Sequence, residues 1–391
     1  MTKGPNYIRL LPVLFSFLVM GFVDVVGISA NYVKNDFNLN NTMANFLPMM
    51  VFIWFAVFSI PSGILMNRIG RKITVQISLL LTCISLVIPL IYYSYFFVLI
   101  AFGILGIANT VLQVSLNPLV SNIVKSNNLT SVLTLGQFIK ALSSLSGPII
   151  AVFAANALGN WKYLFPIFAV ITLISFVWLL LTNVEEEHEI EQRFSFKSSL
   201  LLLRDKKIFI LFLGILAIVG IDVGMNITSP KLLLARTDFS LERAGLGTSV
   251  YFTARMIGTF LGAIFLTRIS STLFLIWNVL AAIVITIILL FIKQAVFIFI
   301  AIALIGFTMA NVFPIIFSIA IQYNKKIANE TSGLMIMGVA GGALLPPIIG
   351  FFTDIFGQAG GIMVILFAIL YLLYLSINLL VSNKSINNNT I

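Results

Sequence analysis

Twelve apolar runs follow one another along the chain with only short polar breaks between them. They cover approximately residues 7–33, 43–66, 73–92, 95–124, 130–156, 162–183, 207–235, 241–267, 270–292, 295–323, 329–356 and 360–382. A helix needs about 20 mostly apolar residues to cross a bilayer, and inside lipid a single segment can satisfy its backbone only as a helix. The pattern therefore predicts an all-α polytopic membrane protein with twelve transmembrane helices. Only 9% of the 391 residues are charged, against roughly 25% in soluble domains, and the mean hydropathy is +1.10. A soluble domain is excluded.

The first run follows Lys3 and Arg9 in the manner of a secretory leader. No small-residue cleavage pattern comes after it, and it has a counterpart in the second half of the chain, so it is read as a retained span. Cys83 and His188 are the single cysteine and the single histidine. They leave no disulfide framework and no zinc or haem site, and no cofactor or metal is expected. Phosphate-cradling loops, nucleophile elbows and zinc-helix motifs are missing, which argues against an ATP-hydrolysing subunit and against an enzyme.

The net charge of +10 reports topology rather than a nucleic-acid partner, because the basic residues sit mostly at the ends of apolar runs. With the N-terminus cytoplasmic, the inner set is Lys3, Arg9, Arg68, Arg71, Lys72, Lys125, Arg193, Lys197, Arg204, Lys206, Lys207, Arg268, Lys325, Lys326 and Lys384. The outer set is only Lys34, Lys162, Lys231, Arg236, Arg243 and Lys293, with Lys140 and Arg255 inside spans. Basic residues are retained on the cytoplasmic side, so both termini are expected there, in a bacterial cytoplasmic membrane. The longest connection, 184–206, carries Glu185, Glu186, Glu187, Glu189 and Glu191 and then basic residues from Arg193 to Lys207. It reads as a solvated cytoplasmic linker with a surface helix, and His188 as an exposed residue within it. It divides a six-span half, 1–183, from another, 207–382, and an Asn-rich tail, 383–391, is expected to be disordered.

An offset of about 200 residues reveals a repeat. Gly21-Phe-Val-Asp24 resembles Gly220-Ile-Asp222, and Asp36-Phe-Asn-Leu39 resembles Asp238-Phe-Ser-Leu241. Gly106-Ile-Ala-Asn109 resembles Gly306-Phe-Thr-Met-Ala-Asn311, Thr130-Ser131 with Gly136 resembles Thr331-Ser332 with Gly338, and Gly147-Pro-Ile-Ile resembles Pro346-Pro-Ile-Ile. Matches in unchanged order mean two halves of one fold. Six plus six spans of equal orientation is the plan of transporters that rock two halves about a site near the midplane.

Gly63-Ile-Leu-Met-Asn67-Arg68-Ile-Gly70-Arg71-Lys72, between the second and third runs, resembles the signature Gly-x-x-x-Asp-Arg-x-Gly-Arg-Arg/Lys of the major facilitator superfamily. The resemblance extends over essentially the whole chain. It implies a gating role for Gly63, Asn67, Arg68, Gly70, Arg71 and Lys72. Gly63 would allow a close helix approach, the position of Asn67 would cap a helix N-terminus of the other half, and the basic residues would bind acidic groups or lipid phosphates. The signature's acid is here a neutral amide. Within the superfamily the chain is most similar to the fucose permease group of sugar/proton symporters. The similarity lies in Ile60-Pro61-Ser-Gly63, Asn117-Pro118, Phe313-Pro314, Gly338-Val-Ala-Gly341-Gly342 and Gly350-Phe-Phe-Thr-Asp354. That group's two carboxylates are missing from their usual positions, which hold Gln113 and Gly27 in this chain, so fucose specificity is not implied.

Four ionisable residues fall near mid-span: Asp24, Lys140, Asp222 and Arg255. Each costs about 2.5 to 3.5 kcal/mol at the bilayer centre unless paired or watered. Helical spacing sets Gly136, Gln137, Ser143 and Ser144 around Lys140, and Thr248, Tyr251, Gly258 and Gly262 around Arg255. Asn109, Gln113 and Asn117 recur at fourfold spacing, Asn226 follows Asp222 by four, and Asn311 begins a polar stripe on the tenth span. Two readings stay open. In one, Asp24 and Asp222 pair with Lys140 and Arg255 only to hold helices together. In the other, Asn109, Gln113, Asn117, Gln137, Lys140, Asn226, Arg255 and Asn311 bind substrate, while Asp24 and Asp222 couple transport to protons.

The expected function is a secondary transporter for a sugar or polyol, acting as a monomer among membrane lipids, with protons as the coupling ion. An organic-anion carrier using Lys140 and Arg255 is the alternative, and a solute sensor that does not transport is a third.

Overall fold

The computed structural model describes residues 7–39, 41–124, 126–184, 186, 196–239 and 241–388. Lys3, Lys125, Glu185, Glu187, His188, Glu189, Glu191 and Arg193 lie outside the described residues, and with them most of the charged linker. No strand occurs among the described residues. Helix α1 (Tyr7–Met20) passes through a 3-10 turn, Gly21–Val25, into α2 (Val26–Asp36). Then come α3 (Asn41–Ile69), α4 (Arg71–Ile91), α5 (Tyr95–Ile123), α6 (Ser126–Ala157), α7 (Leu164–Leu181) and the short α8 (Phe196–Leu201). The second half contributes α9 (Lys206–Arg236), α10 (Leu241–Phe265), α11 (Ser271–Phe291), α12 (Ala295–Met309), α13 (Val312–Tyr323), α14 (Ala328–Met337) and α15 (Gly341–Asn388).

Local chemistry explains where these helices begin and end. Gly70, at φ 87°, separates α3 from α4 with a backbone conformation that favours glycine. Asp205 caps α9 by accepting from the N–H groups of Lys207 and Ile208 at 2.8 and 3.1 Å. Gly357, at φ 65°, kinks α15. That helix continues through residue 388, so residues 383–388 of the tail expected to be disordered are helical, and 389–391 lie outside the described residues. Extending an existing helix needs no new nucleus, which offsets the weak propensity of Ser and Asn there.

Ten helical stretches among the described residues are long and apolar enough to cross a membrane. The twelve runs and the ten stretches differ at two places. The stretch α10, which carries Glu242, Arg243 and Arg255, is not among the ten, and the last two runs fall within one stretch, Lys325–Val381. Helices α4 and α7 place hydroxyl residues inward and large apolar residues outward, the reverse of the pattern in soluble proteins. On α4 the buried face holds Thr74, Ser78, Thr82 and Ser85, while Ile73, Ile77, Leu80 and Ile84 are exposed. On α7 Thr172 and Ser175 point inward while Leu173, Ile174, Val177 and Trp178 point out. Small residues permit close helix packing, and their hydroxyls return to their own helix, as Thr82 Oγ1 does to the Ser78 carbonyl at 2.9 Å. Large apolar side chains on the outer surface suit lipid as solvent, and ten stretches are long and apolar enough to cross it; the protein is a multi-pass membrane protein.

The described helices form two compact units. One comprises Met1–Leu129, Gly136–Leu202 and Ile321–Met337; the other comprises Thr130–Leu135, Leu203–Ala320 and Gly338–Ile391. Each therefore includes a short stretch from the other half of the sequence. In the first unit α5 packs against α3, α4 and α1, and α14 lies on α3 and α5. In the second, α9 packs on α15 and α10, and α10 on α12.

The repeat is visible in how each unit is assembled. A Cβ on Gly106 would lie 2.4 Å from the Val51 carbonyl, and one on Gly306 would lie 2.5 Å from the Tyr251 carbonyl. Three residues beyond Gly106, the Asn109 amide donates to the Met20 carbonyl at 2.9 Å; five residues beyond Gly306, Asn311 donates to the Gly258 carbonyl at 2.9 Å. The same device, a glycine crossing followed by an amide tie, builds both units.

Candidate functional site

In the second unit, α9 and α10 bring three polar side chains together at mid-span. Arg255 Nη1 lies 2.6 Å from Asp222 Oδ2, and the Tyr251 hydroxyl donates to Asp222 Oδ1 at 2.7 Å. The side chains of Asp222 and Arg255 are 9% and 23% exposed, and Tyr251 is 0% exposed. Helical geometry accounts for the cluster: Tyr251 and Arg255 are four apart on one face of α10, and both reach the same carboxylate. Each Asp222 oxygen thus has a strong donor, which is how a charge survives at such depth. One turn further along α9, Asn226 is exposed, and its carbonyl accepts from Thr248 Oγ1 at 3.0 Å. Asn311 is 2% exposed; its amide is tied to Gly258, and its buried Oδ1 has no hydrogen-bond partner.

In the first unit the fourfold series on α5 is an interlocked ladder. Asn117 Nδ2 donates to the Gln113 carbonyl at 2.8 Å, Gln113 Nε2 to Asn109 Oδ1 at 2.7 Å, and Asn109 to Met20 at the break in the first span. All three are buried. Asp24 sits in the 3-10 turn itself, exposed, where Ser144 donates to its Oδ2 at 2.5 Å. A Cβ on Gly21 would lie 2.5 Å from the Lys140 carbonyl, so this turn presses closely on α6. Gln137 and Lys140 are half-buried on α6. Trp54 adds a buried indole nitrogen with no hydrogen-bond partner.

The signature turn is held by a network in the first unit. Gly63 packs on α14, where a Cβ would lie 2.8 Å from the Asn329 carbonyl. Asn67 meets the first turn of α14 through side chains: its amide donates to Glu330 Oε1, and its Oδ1 accepts from Asn329 Nδ2 at 2.7 Å. Arg71 Nε donates to Asn329 Oδ1 at 2.7 Å, and its Nη1 donates to Asn122 and, at 3.3 Å, to Ser121 and the Pro118 carbonyl. Glu186 accepts from the backbone N–H groups of Arg71 and Lys72 at 2.7 and 2.5 Å, capping α4, while Lys72 Nζ donates to the Leu180 carbonyl at 3.2 Å. Arg68 is exposed.

Sequence reasoning missed two groups. Glu330 carried no signal, since one acid at the start of a span is ordinary. Asp36 served only as a repeat marker, yet its Oδ2 accepts from Tyr93 Oη at 2.6 Å and Trp161 Nε1 at 3.0 Å beside a cavity of about 460 Å³. Lys162 lies 4.2 Å above the Tyr93 ring, and burial together with Asp36 pushes the Tyr93 hydroxyl well above its ordinary pKa, so that it remains a donor.

Residues 13–340 match the Major Facilitator Superfamily. A glucose/galactose transporter of Brucella abortus is 27% identical over 362 residues, covering 87% of this chain and 86% of the relative. The fucose:proton symporter of Escherichia coli, FucP, superposes with a TM-score of 0.81 at 18% identity over 94% of this chain and 97% of its own. The human organic anion transporter MFSD10 superposes with a TM-score of 0.76 at 14% identity over 96% and 100% of the two chains. At these identities the superpositions establish the fold, whereas the family match covers most of the sequence. The chain belongs to the Major Facilitator Superfamily.

Proposed function

We propose that the protein is a secondary active transporter that moves a sugar or polyol across the bacterial cytoplasmic membrane by alternating access, driven by protons. The observation that carries this reading is the mid-span cluster of Asp222 with Arg255 and Tyr251: a carboxylate at that depth, held by one cation and one hydroxyl, can exchange an ion pair for a bound proton. The name of the Brucella relative supports a hexose as substrate. Within the second unit, the buried Asn311 Oδ1, without a hydrogen-bond partner, is an acceptor of the kind that sugar hydroxyls satisfy. Asn109, Gln113 and Asn117 act chiefly as positioning residues, since their amides are tied to one another and to Met20. The distribution of basic residues supports cytoplasmic termini. The protein acts as a monomer surrounded by lipid.

An organic anion is the second reading, through Lys140 and Arg255. Asp222 already neutralises Arg255 at 2.6 Å, which favours a neutral solute. Uptake of labelled galactose, glucose and carboxylates into proteoliposomes, with and without an imposed pH gradient, tests the assignment. Hexose accumulation that follows the gradient supports it. Accumulation of carboxylates alone supports the anion reading, and binding without accumulation under any gradient makes the protein a sensor.

A further inference from the structure

The signature turn lacks the carboxylate that its pattern places at position 67, yet a carboxylate occupies the contact from the other side. Glu330, in the first turn of α14, is 1% exposed, and its Oε1 accepts from the Asn67 amide. Its Oε2 is buried and makes no hydrogen bond. Asn329 closes the arrangement by donating to Asn67 Oδ1 and accepting from Arg71 Nε, both at 2.7 Å. Asn67 and Arg71 on one side thus interlock with Asn329 and Glu330 on the other.

The surroundings are tight. A Cβ on Gly333 would lie 2.7 Å from the Ser59 carbonyl, and Ser332 Oγ donates to the Val114 carbonyl at 2.6 Å, so α14 is pinned to α3 and α5 around the acid. Among the described residues, Arg71 is the charged group that acts on Glu330. Arg68 on α3, Lys197 on α8, and Lys325 and Lys326 before α14 are exposed to solvent, and Glu186 is bonded to the start of α4. The charge of Arg71 and the helix N-terminus favour an anion at Glu330. Burial opposes it, since a group offering about four lone-pair sites has only the Asn67 amide and its own backbone N–H as neutral donors, and Oε2 has none. A carboxyl balanced in this way changes protonation state when its exposure changes.

We propose that Glu330 is a proton-binding site of the transport cycle, separate from Asp24 and Asp222. The carboxyl is protonated while the Asn67–Asn329–Glu330 contact is closed. When the signature turn parts from α14, water reaches the group, and its O–H proton passes to that water, leaving the carboxylate. This deepens the reading of the protein as a proton-driven transporter and rests on it.

The test is hydrogen–deuterium exchange, read by mass spectrometry on the full-length protein in phosphatidylethanolamine/phosphatidylglycerol nanodiscs from pH 5 to pH 9 and corrected for intrinsic exchange rates. Peptides covering residues 63–72 and 325–337 should exchange about tenfold faster above the titration of Glu330 than below it. Glu330→Gln should remain at the slow level throughout, while Glu330→Asp, which keeps a carboxyl, should retain a step. No step in the wild-type protein, or the same step in Glu330→Gln, overturns the proposal. Exchange is measured without solute, so a step accompanied by failure of every hexose to accumulate in wild-type proteoliposomes would overturn the sugar reading and leave the proton site standing.

Discussion

Tyr251→Phe is the narrowest cut that can be made into the mid-span cluster, because it removes one oxygen from a side chain that is 0% exposed. That oxygen donates to Asp222 Oδ1 at 2.7 Å, while Oδ2 keeps its contact with Arg255. A hydrogen bond to a charged acceptor contributes about 1.5 to 3 kcal/mol, and water has little access to the vacated position, since the Asp222 side chain is only 9% exposed. The expected loss is therefore about 2 kcal/mol. Asp222→Asn removes the charge that both donors serve, so the two substitutions should be strongly non-additive. A double-mutant cycle of Tyr251→Phe and Asp222→Asn, read from thermal unfolding of the detergent-solubilised protein, should give a coupling of about 1 to 2 kcal/mol. Additivity within about 0.5 kcal/mol would mean that the hydroxyl and the carboxylate do not interact in solution.

The glycine crossings predict matched effects in the two units. Gly106→Ala and Gly306→Ala should each lower stability by about 1 to 3 kcal/mol, whereas Gly245→Ala, with nothing within 4 Å of the new Cβ, should be neutral or slightly stabilising in the same assay. Arg236 donates to the carbonyls of Leu289 and Ile292 at 2.6 Å and of Leu290 at 3.0 Å, closing the C-terminal end of α11. Arg236→Leu should cost about 1 to 3 kcal/mol by leaving those acceptors without donors, and unfolding midpoints should show it.

Much of this architecture can be read from the residues, and the exceptions share a cause. Runs expected at 95–124, 207–235 and 270–292 fall on Tyr95–Ile123, Lys206–Arg236 and Ser271–Phe291, since hydrophobic length dominates where lipid is the solvent. The interruptions at Gly21–Val25, between Met309 and Val312, and at Gly338–Ala340 left no trace in that signal, because a one-turn change of helix type keeps the same apolar composition. At the site, the fourfold spacing of Asn109, Gln113 and Asn117 was legible, but the tie from Asn109 to Met20 joins residues 89 apart and depends on packing. Pairing of Asp222 with Arg255 was one of several possible combinations of two acids and two bases. Tyr251 as a second donor was hidden among ten tyrosines. The neutral amide at Asn67 was plain in the sequence; the acid that faces it lies 263 positions away, on a helix that only the fold brings alongside.

In the proposed cycle Asp222 converts a proton gradient into solute accumulation. Its most direct test compares wild-type and Asp222→Asn proteins in proteoliposomes for two processes: pH-driven uptake of labelled galactose, and exchange of internal for external galactose at equal pH. Asp222→Asn should abolish accumulation and preserve exchange. Concentrative uptake that persists in both Asp222→Asn and Asp24→Asn proteins would contradict it.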